Sequence, residues 1–289
     1  MTKFSIRFLV LFWCLGWASP LWAAKYCLWK ISGEQNSVYL LGSIHFLEES
    51  FYPLAEPIEG AFEEAEKVVF ETDMAQMSQP QAQMKMLMQG VCPPDKTIAD
   101  FLSKETYAVL QKRLGDQAGV LERFQPWLAA VTLVALEVQK MGFDPEQGVD
   151  QYFYRKATKA GKKTSGLETV QFQMDLFTSL TRKDQEQLLK ETLTEMEQIR
   201  GMLDETIQAW KTGDVAKLEE ILLAAMKEYP EVERKFLTDR NRQWVPKIEG
   251  YLSGTEDVLV VVGAAHLIGG DSVVDQLRKR GHKVTQQAD

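Results

Sequence analysis

Two short segments near opposite ends of the chain repeat one pattern: an apolar run, a glycine, two intervening residues and a histidine. The first is Tyr39-Leu40-Leu41-Gly42-Ser43-Ile44-His45 and the second is Val260-Val261-Val262-Gly263-Ala264-Ala265-His266. Short apolar runs without polar alternation mark strands buried on both faces, as in parallel sheets. Behind His45 follows an amphipathic helix expected at 56–66 and a strand at 67–71; behind His266 follows the turn Gly269-Gly270, a helix expected at 271–280 capped by Gly281, and a strand at 282–285. Both ends of the chain therefore read as βαβ units. Such strands are stable only when paired and covered, so the pattern predicts an α/β fold. Its central mixed or parallel sheet is built from the two βαβ units at the chain ends.

Between the units lies a large helical insertion, about 75–252, with helices expected at 76–90, 97–115, 120–141, 146–160, 182–200, 203–212, 214–228 and 231–252. Thr97 and Gly161 are the expected caps. A strand at 163–167, ending at Glu168, interrupts the insertion and forms a third αβ element with the helix before it. A hairpin at 27–31 and 37–41 precedes the first unit. No stretch rich in Pro, Gly or Ser separates a second unit, so residues 25–289 read as one domain.

Residues 1–24 stand apart. Lys3 and Arg7 precede an apolar run from Phe8 to Trp17, and small residues at Ala18, Ser19, Ala23 and Ala24 follow, which is the layout of a signal peptide. The run is shorter than the ~20 residues that span a bilayer. The expected location is the periplasm or outside the cell, with no stable membrane insertion after cleavage; an uncleaved signal would tether the chain. Of 33 basic residues two lie in this segment, against 41 acidic residues that all lie beyond it, which leaves the mature chain at −10. That charge argues against nucleic-acid and anionic-membrane partners. Cys27 and Cys92 remain after cleavage, an even number in an oxidising compartment, and a disulfide between them is expected.

Ligands in open parallel sheets sit beyond the carboxyl ends of the strands. His45, Glu71 with Asp73, Glu168 and His266 occupy those positions here. Gly42 and Gly263, without a Cβ, would let the chain leave each strand sharply. Two imidazoles with one or two carboxylates suit Zn, Mn or Co with a coordination position left for water, or a histidine base at neutral pH. Arg240, in the charged segment Thr238-Asp239-Arg240-Asn241-Arg242, could clamp a carboxylate or an oxyanion. His282 has no comparable placement. The methionines Met74, Met77, Met84, Met86 and Met88 read as core filling or an adaptable apolar surface.

Leu28-Trp29-Lys30-Ile31, the first histidine segment, Val69-Phe70-Glu71, Gly148-Val149-Asp150, Gly166-Leu167-Glu168-Thr169, Asp239-Arg240-Asn241, the second histidine segment and Gly281-His282-Lys283-Val284 together resemble the TraB/GumN family. The resemblance implies a split α/β fold shared with Tiki-type extracellular proteases and, more distantly, with erythromycin-esterase-like hydrolases. From the protease side it implies a metal-dependent hydrolase, most readily a peptidase. His45 and His266 would be metal ligands, Glu71 a ligand or the general base, Glu168 a further ligand or an orienting group, and Arg240 a clamp for an oxyanion or a substrate carboxylate. From the esterase side it implies a histidine base without metal. A non-enzymatic protein binding a metal, haem or a peptide signal is the third expectation. The substrate is left open as a peptide or small molecule.

Overall fold

The computed structural model describes residues 25–289 apart from 225, 227 and 228. The expected signal peptide lies outside the described residues. Six strands form one sheet: β1 (Lys25–Ser32), β2 (Ser37–Ser43), β3 (Lys67–Thr72), β4 (Lys163–Glu168), β5 (Val258–Gly263) and β6 (Val284–Ala288). Their order is β4-β3-β5-β2-β1-β6. β2, β5, β3 and β4 run parallel, while β1 pairs antiparallel with β2 and with β6. The fold is α/β with a mixed sheet, as the two repeated units require.

The units do not sit side by side; they interleave. β5 enters between β2 and β3, so the first βαβ unit, which crosses over through α1 (Glu56–Glu64), is completed only by a strand from the far end of the chain. β6 in turn crosses to the opposite edge beside β1. The insertion that separates them contains α2 (Met74–Met77), α3 (Pro80–Gly90), α4 (Lys104–Leu114), α5 (Pro126–Lys140), α6 (Val149–Ala160), α7 (Val170–Thr178), α8 (Arg182–Glu195), α9 (Ile199–Lys211), α10 (Val215–Leu223), α11 (Pro230–Glu233) and α12 (Asp239–Leu252). α13 (Val273–Lys279) belongs to the second unit.

Several expected helices are divided where the chain offers a stop. Pro80 opens α3 and separates it from α2, and Pro126 opens α5, because proline is pre-set for a first helical turn and cannot donate within one. The expected helix 231–252 breaks into α11, a π-turn at Arg234–Thr238 and α12. α7 was not expected at all; Thr169 starts it by accepting from the Phe172 amide, an N-cap that supplies one orphan amide with a partner. Gly161 closes α6 in the left-handed region as anticipated, with φ 67°.

The main core surrounds the sheet, with Leu40, Leu41, Val68, Val69, Val260 and Val261 fully buried. A smaller core of Ile98, Leu102, Leu110, Leu189 and Leu193 holds the outer helices together. Cys27 belongs to the first core, whereas Cys92 stands against the helical region and its Sγ donates to the Phe124 carbonyl. Both are buried free thiols, so the expected disulfide between Cys27 and Cys92 is not formed. An even cysteine count says nothing about whether two thiols face each other. Met84 and Met88 on α3 are exposed and contribute surface rather than core. No helix among the described residues is long and apolar enough to cross a membrane.

Candidate active site

The carboxyl ends of the parallel strands share one edge of the sheet. Ser43 of β2 is in register with Gly263 of β5, and Thr72 of β3 with Glu168 of β4. Alignment of the strand ends therefore delivers His45, Glu71, Glu168 and His266 to neighbouring positions. A methyl group placed on Gly263 would lie 3.2 Å from Glu71 Oε1, 3.7 Å from His266 Cδ2 and 4.0 Å from His45 Nε2. Both histidines and one carboxylate thus converge on a single point. Neither Gly42 nor Gly263 has a positive φ. What their missing Cβ permits is close approach: Gly42 lies against Ala264, whose Cα would be 3.1 Å from an added Cβ, and Gly263 lies beneath Glu71.

Arg240, on the first turn of α12, is the hub. Its Nε donates to Glu168 Oε1 at 3.0 Å, its Nη1 to the Phe236 carbonyl at 3.2 Å and to His266 Nε2 at 3.0 Å, and its Nη2 to Glu71 Oε2 at 2.5 Å and Glu168 Oε2 at 2.9 Å. All five N–H groups of the guanidinium are spent. The preceding π-turn places the Phe236 carbonyl where the side chain can use it; such turns recur at functional sites. The indole of Trp244 donates to Glu168 Oε1 at 2.8 Å, lies under the guanidinium, and packs against the His266 ring at an interplanar angle of 45°. Arg240 is marked in the sequence by its charged segment, whereas Trp244 carries no such mark and reaches the same face one helical turn later.

The two histidines are in opposite states. Asn241 Nδ2 donates to the Asp271 carbonyl, so its Oδ1 faces His266 Nδ1 at 2.7 Å and requires a proton there. Nε2 of His266 then offers a lone pair to Arg240. Burial pushes the His266 pKa down to about 3 despite the pull of Glu71, and nearby Arg240 adds to the lowering. His266 is a neutral, fully engaged side chain. The ring of His45 is 57% exposed, and its Nδ1 lies 3.3 Å from Asp150 Oδ1. The Asp150 charge, outweighing partial burial, raises the His45 pKa to about 9, with Glu71 helping and Arg240 opposing. Its Nε2 is turned toward the site. For Glu71, burial alone would raise the pKa, but the charge that His266 takes on at low pH, together with Arg240, His45 and the Gly263 amide at 2.8 Å, holds it at about 2.

Asp150, which the sequence marks only through the Gly148-Val149-Asp150 segment of the family resemblance, completes the His45 arrangement. Gly148 explains how it arrives: the Val149 amide donates to the Ile44 carbonyl at 3.0 Å, and a Cβ on Gly148 would stand 2.5 Å from the His45 carbonyl oxygen. Only glycine lets the start of α6 press against the loop after β2. Asp73 turns away to cap α2, and His282 pairs with Glu249 at 3.0 Å.

Two cavities meet at Ser43, His45 and Glu71. One of about 440 Å³ also touches Arg240 and His266; the other, of about 240 Å³, also touches Asp150 and Gln173. Among the described residues no group of three or more His, Cys, Asp or Glu side chains is placed to hold a metal ion. The donor chemistry explains this. A resident cation, Arg240, already takes the lone pairs of His266 and Glu168 and one oxygen of Glu71, and a divalent ion beside it would meet like charge. The set His45, His266 and Glu71 does not fit a metal in this arrangement.

The TraB/PrgY/gumN family model matches residues 27–286, nearly the whole chain. The chain belongs to the TraB/PrgY/gumN family. Relatives of this TraB/PrgY/gumN protein include an uncharacterized protein of Treponema pallidum (strain Nichols), 24% identical over 270 residues, which are 87% of this chain and 80% of the relative. The uncharacterized protein YbaP of Shigella flexneri is 25% identical over 270 residues, covering 89% and 97%, and YbaP of Escherichia coli (strain K12) is 25% identical over 244 residues, covering 83% and 87%. No solved structure matches this TraB/PrgY/gumN chain.

Proposed function

We propose that the chain is a hydrolase that uses His45 as a general base, oriented by Asp150, without a catalytic metal. The observation that carries this reading is the contrast between the histidines: His266 has both ring nitrogens engaged, whereas His45 has Nδ1 3.3 Å from the Asp150 carboxylate as an ion pair and presents Nε2 to a point lined by Glu71 and Gly263. A carboxylate beneath an imidazole fixes its tautomer and stabilises the imidazolium that forms. A carboxyl group held at about 2 is a poor proton acceptor, so Glu71 serves by charge and by orienting water rather than as the base.

In this reading a water at His45 Nε2 gives its proton to the ring while its oxygen adds to a substrate carbonyl. The tetrahedral adduct then expels the alkoxide or amine, which recovers the proton from His45. Arg240 contributes positive charge to the site; its N–H groups are committed, so it acts through its field rather than as a direct clamp. Glu168, Trp244, His266 and Asn241 hold that guanidinium in place.

The mature protein is assayed against ester and peptide panels with and without a chelator. Turnover is expected to survive chelation and to fall by about 10²–10⁴ in His45→Ala, the usual contribution of a general base. Loss of activity on chelation with recovery on adding Zn, Mn or Co would favour the metal-dependent peptidase instead. Absence of any turnover would remove the hydrolase reading.

A further inference from the structure

The geometry points to a substrate with a linear aliphatic acyl chain, seated in the larger cavity with its carbonyl at His45. This inference rests on the hydrolase reading and adds the substrate class. The cavity of about 440 Å³ runs from the polar cluster outward between α5, α9, α10 and the π-turn. Val134, Val138, Met202, Leu203, Leu222 and Phe236 form its walls, and its ionisable lining groups are confined to the polar end, where His45, Glu71, Arg240 and His266 lie. One end is therefore suited to a carbonyl placed between His45 and the positive charge of Arg240, and the rest to hydrocarbon.

The secondary structure of the walls separates an acyl chain from a peptide. The walls are helical, so their backbone donors and acceptors are bonded within the helices. The strands whose ends line this cavity, β2, β5 and β3, are interior, and the sheet edges belong to β4 and β6, with Glu168 at the end of β4 outside the cavity lining. An extended peptide would find no edge to pair with and would bury its amides without partners, which is costly. A polymethylene chain has no such requirement. The smaller cavity on the other side of His45, with Asp150, Gln151 and Gln173 in its lining, has the polarity for the leaving alcohol or amine.

The test uses the mature protein with p-nitrophenyl acetate, butyrate and octanoate, and calorimetric titration with octanoate and acetate on the wild type and on His45→Ala. The expected result is a rise in kcat/KM of about fourfold per added methylene, with octanoate bound by both proteins and acetate by neither. Leu203→Trp, and Met202→Trp on the exposed rim should the first fail to fold, are each expected to reduce the octanoyl-to-acetyl ratio about tenfold. Ester hydrolysis with a flat chain-length profile and no octanoate binding would overturn the acyl-chain assignment while leaving the hydrolase reading intact. Octanoate binding by both proteins with no hydrolysis of any ester would do the reverse. Faster cleavage of apolar peptides than of octanoyl esters would overturn the assignment.

Discussion

His45 and His266 follow the same local pattern, yet the charge next to each decides what it can do. Asp150 beneath His45 raises its pKa to about 9, while burial drives that of His266 to about 3. The base form of His45 is therefore scarce at neutral pH and grows as pH rises. The pH profile of kcat/KM is expected to climb toward an apparent pKa near 9, and Asp150→Asn to move that limb down toward the ordinary histidine value of about 6.5 while lowering the plateau. Steady-state rates between pH 6 and 10 on both proteins decide it; a limb unmoved by the substitution would show that Asp150 does not set the state of His45.

At the scale of elements, the contact between the start of α6 and the loop after β2 is what joins Asp150 to His45. A Cβ at position 148 would meet the backbone carbonyl of His45, its oxygen at 2.5 Å and its carbon at 2.8 Å, and backbone atoms cannot swing aside as a side-chain tip can. Gly148→Ala is expected to cost about 1–3 kcal/mol through overpacking and to reduce activity further by separating the pair. Gly60, inside α1, is the control, since a Cβ there meets nothing closer than 3.9 Å. Gly60→Ala should stabilise the protein by about 0.4–1 kcal/mol. Chemical denaturation of the two variants measures both signs.

For the whole molecule, the buried network links stability to pH. Glu71, with its pKa lowered to about 2, contributes stability that is present above its ordinary value and is lost as pH falls through about 2. His266 must stay neutral when folded, so the unfolded chain takes up its proton first and stability declines as pH drops below about 6.5 toward 3. His45, raised to about 9, contributes stability in full below about 6.5 and loses it as pH rises through 9, by a smaller amount because its ring is largely solvated. The melting temperature is therefore expected to peak near pH 6.5, with the acid side steeper. A melting series from pH 3 to 10 checks the shape, and a stability plateau from pH 4 to 6.5 would contradict the neutral, buried state assigned to His266.

The alternation of apolar runs with helical stretches was enough, read from the chain alone, to place all six strands and the α/β class, because strand pattern and glycine punctuation are local properties. The convergence of the two histidine loops followed from the same repetition. Tertiary structure alone decided that β5 enters between β2 and β3, since pairing order depends on which faces are covered rather than on any run of residues. It also decided the partners of Arg240, because a guanidinium spends its donors on whatever oxygens and ring nitrogens packing brings within reach, here from β3, β4, the π-turn and the loop after β5. Asp150 and Trp244 entered the site the same way. So did the separation of Cys27 from Cys92: the sequence counts thiols, but only the packed chain sets the distance between them.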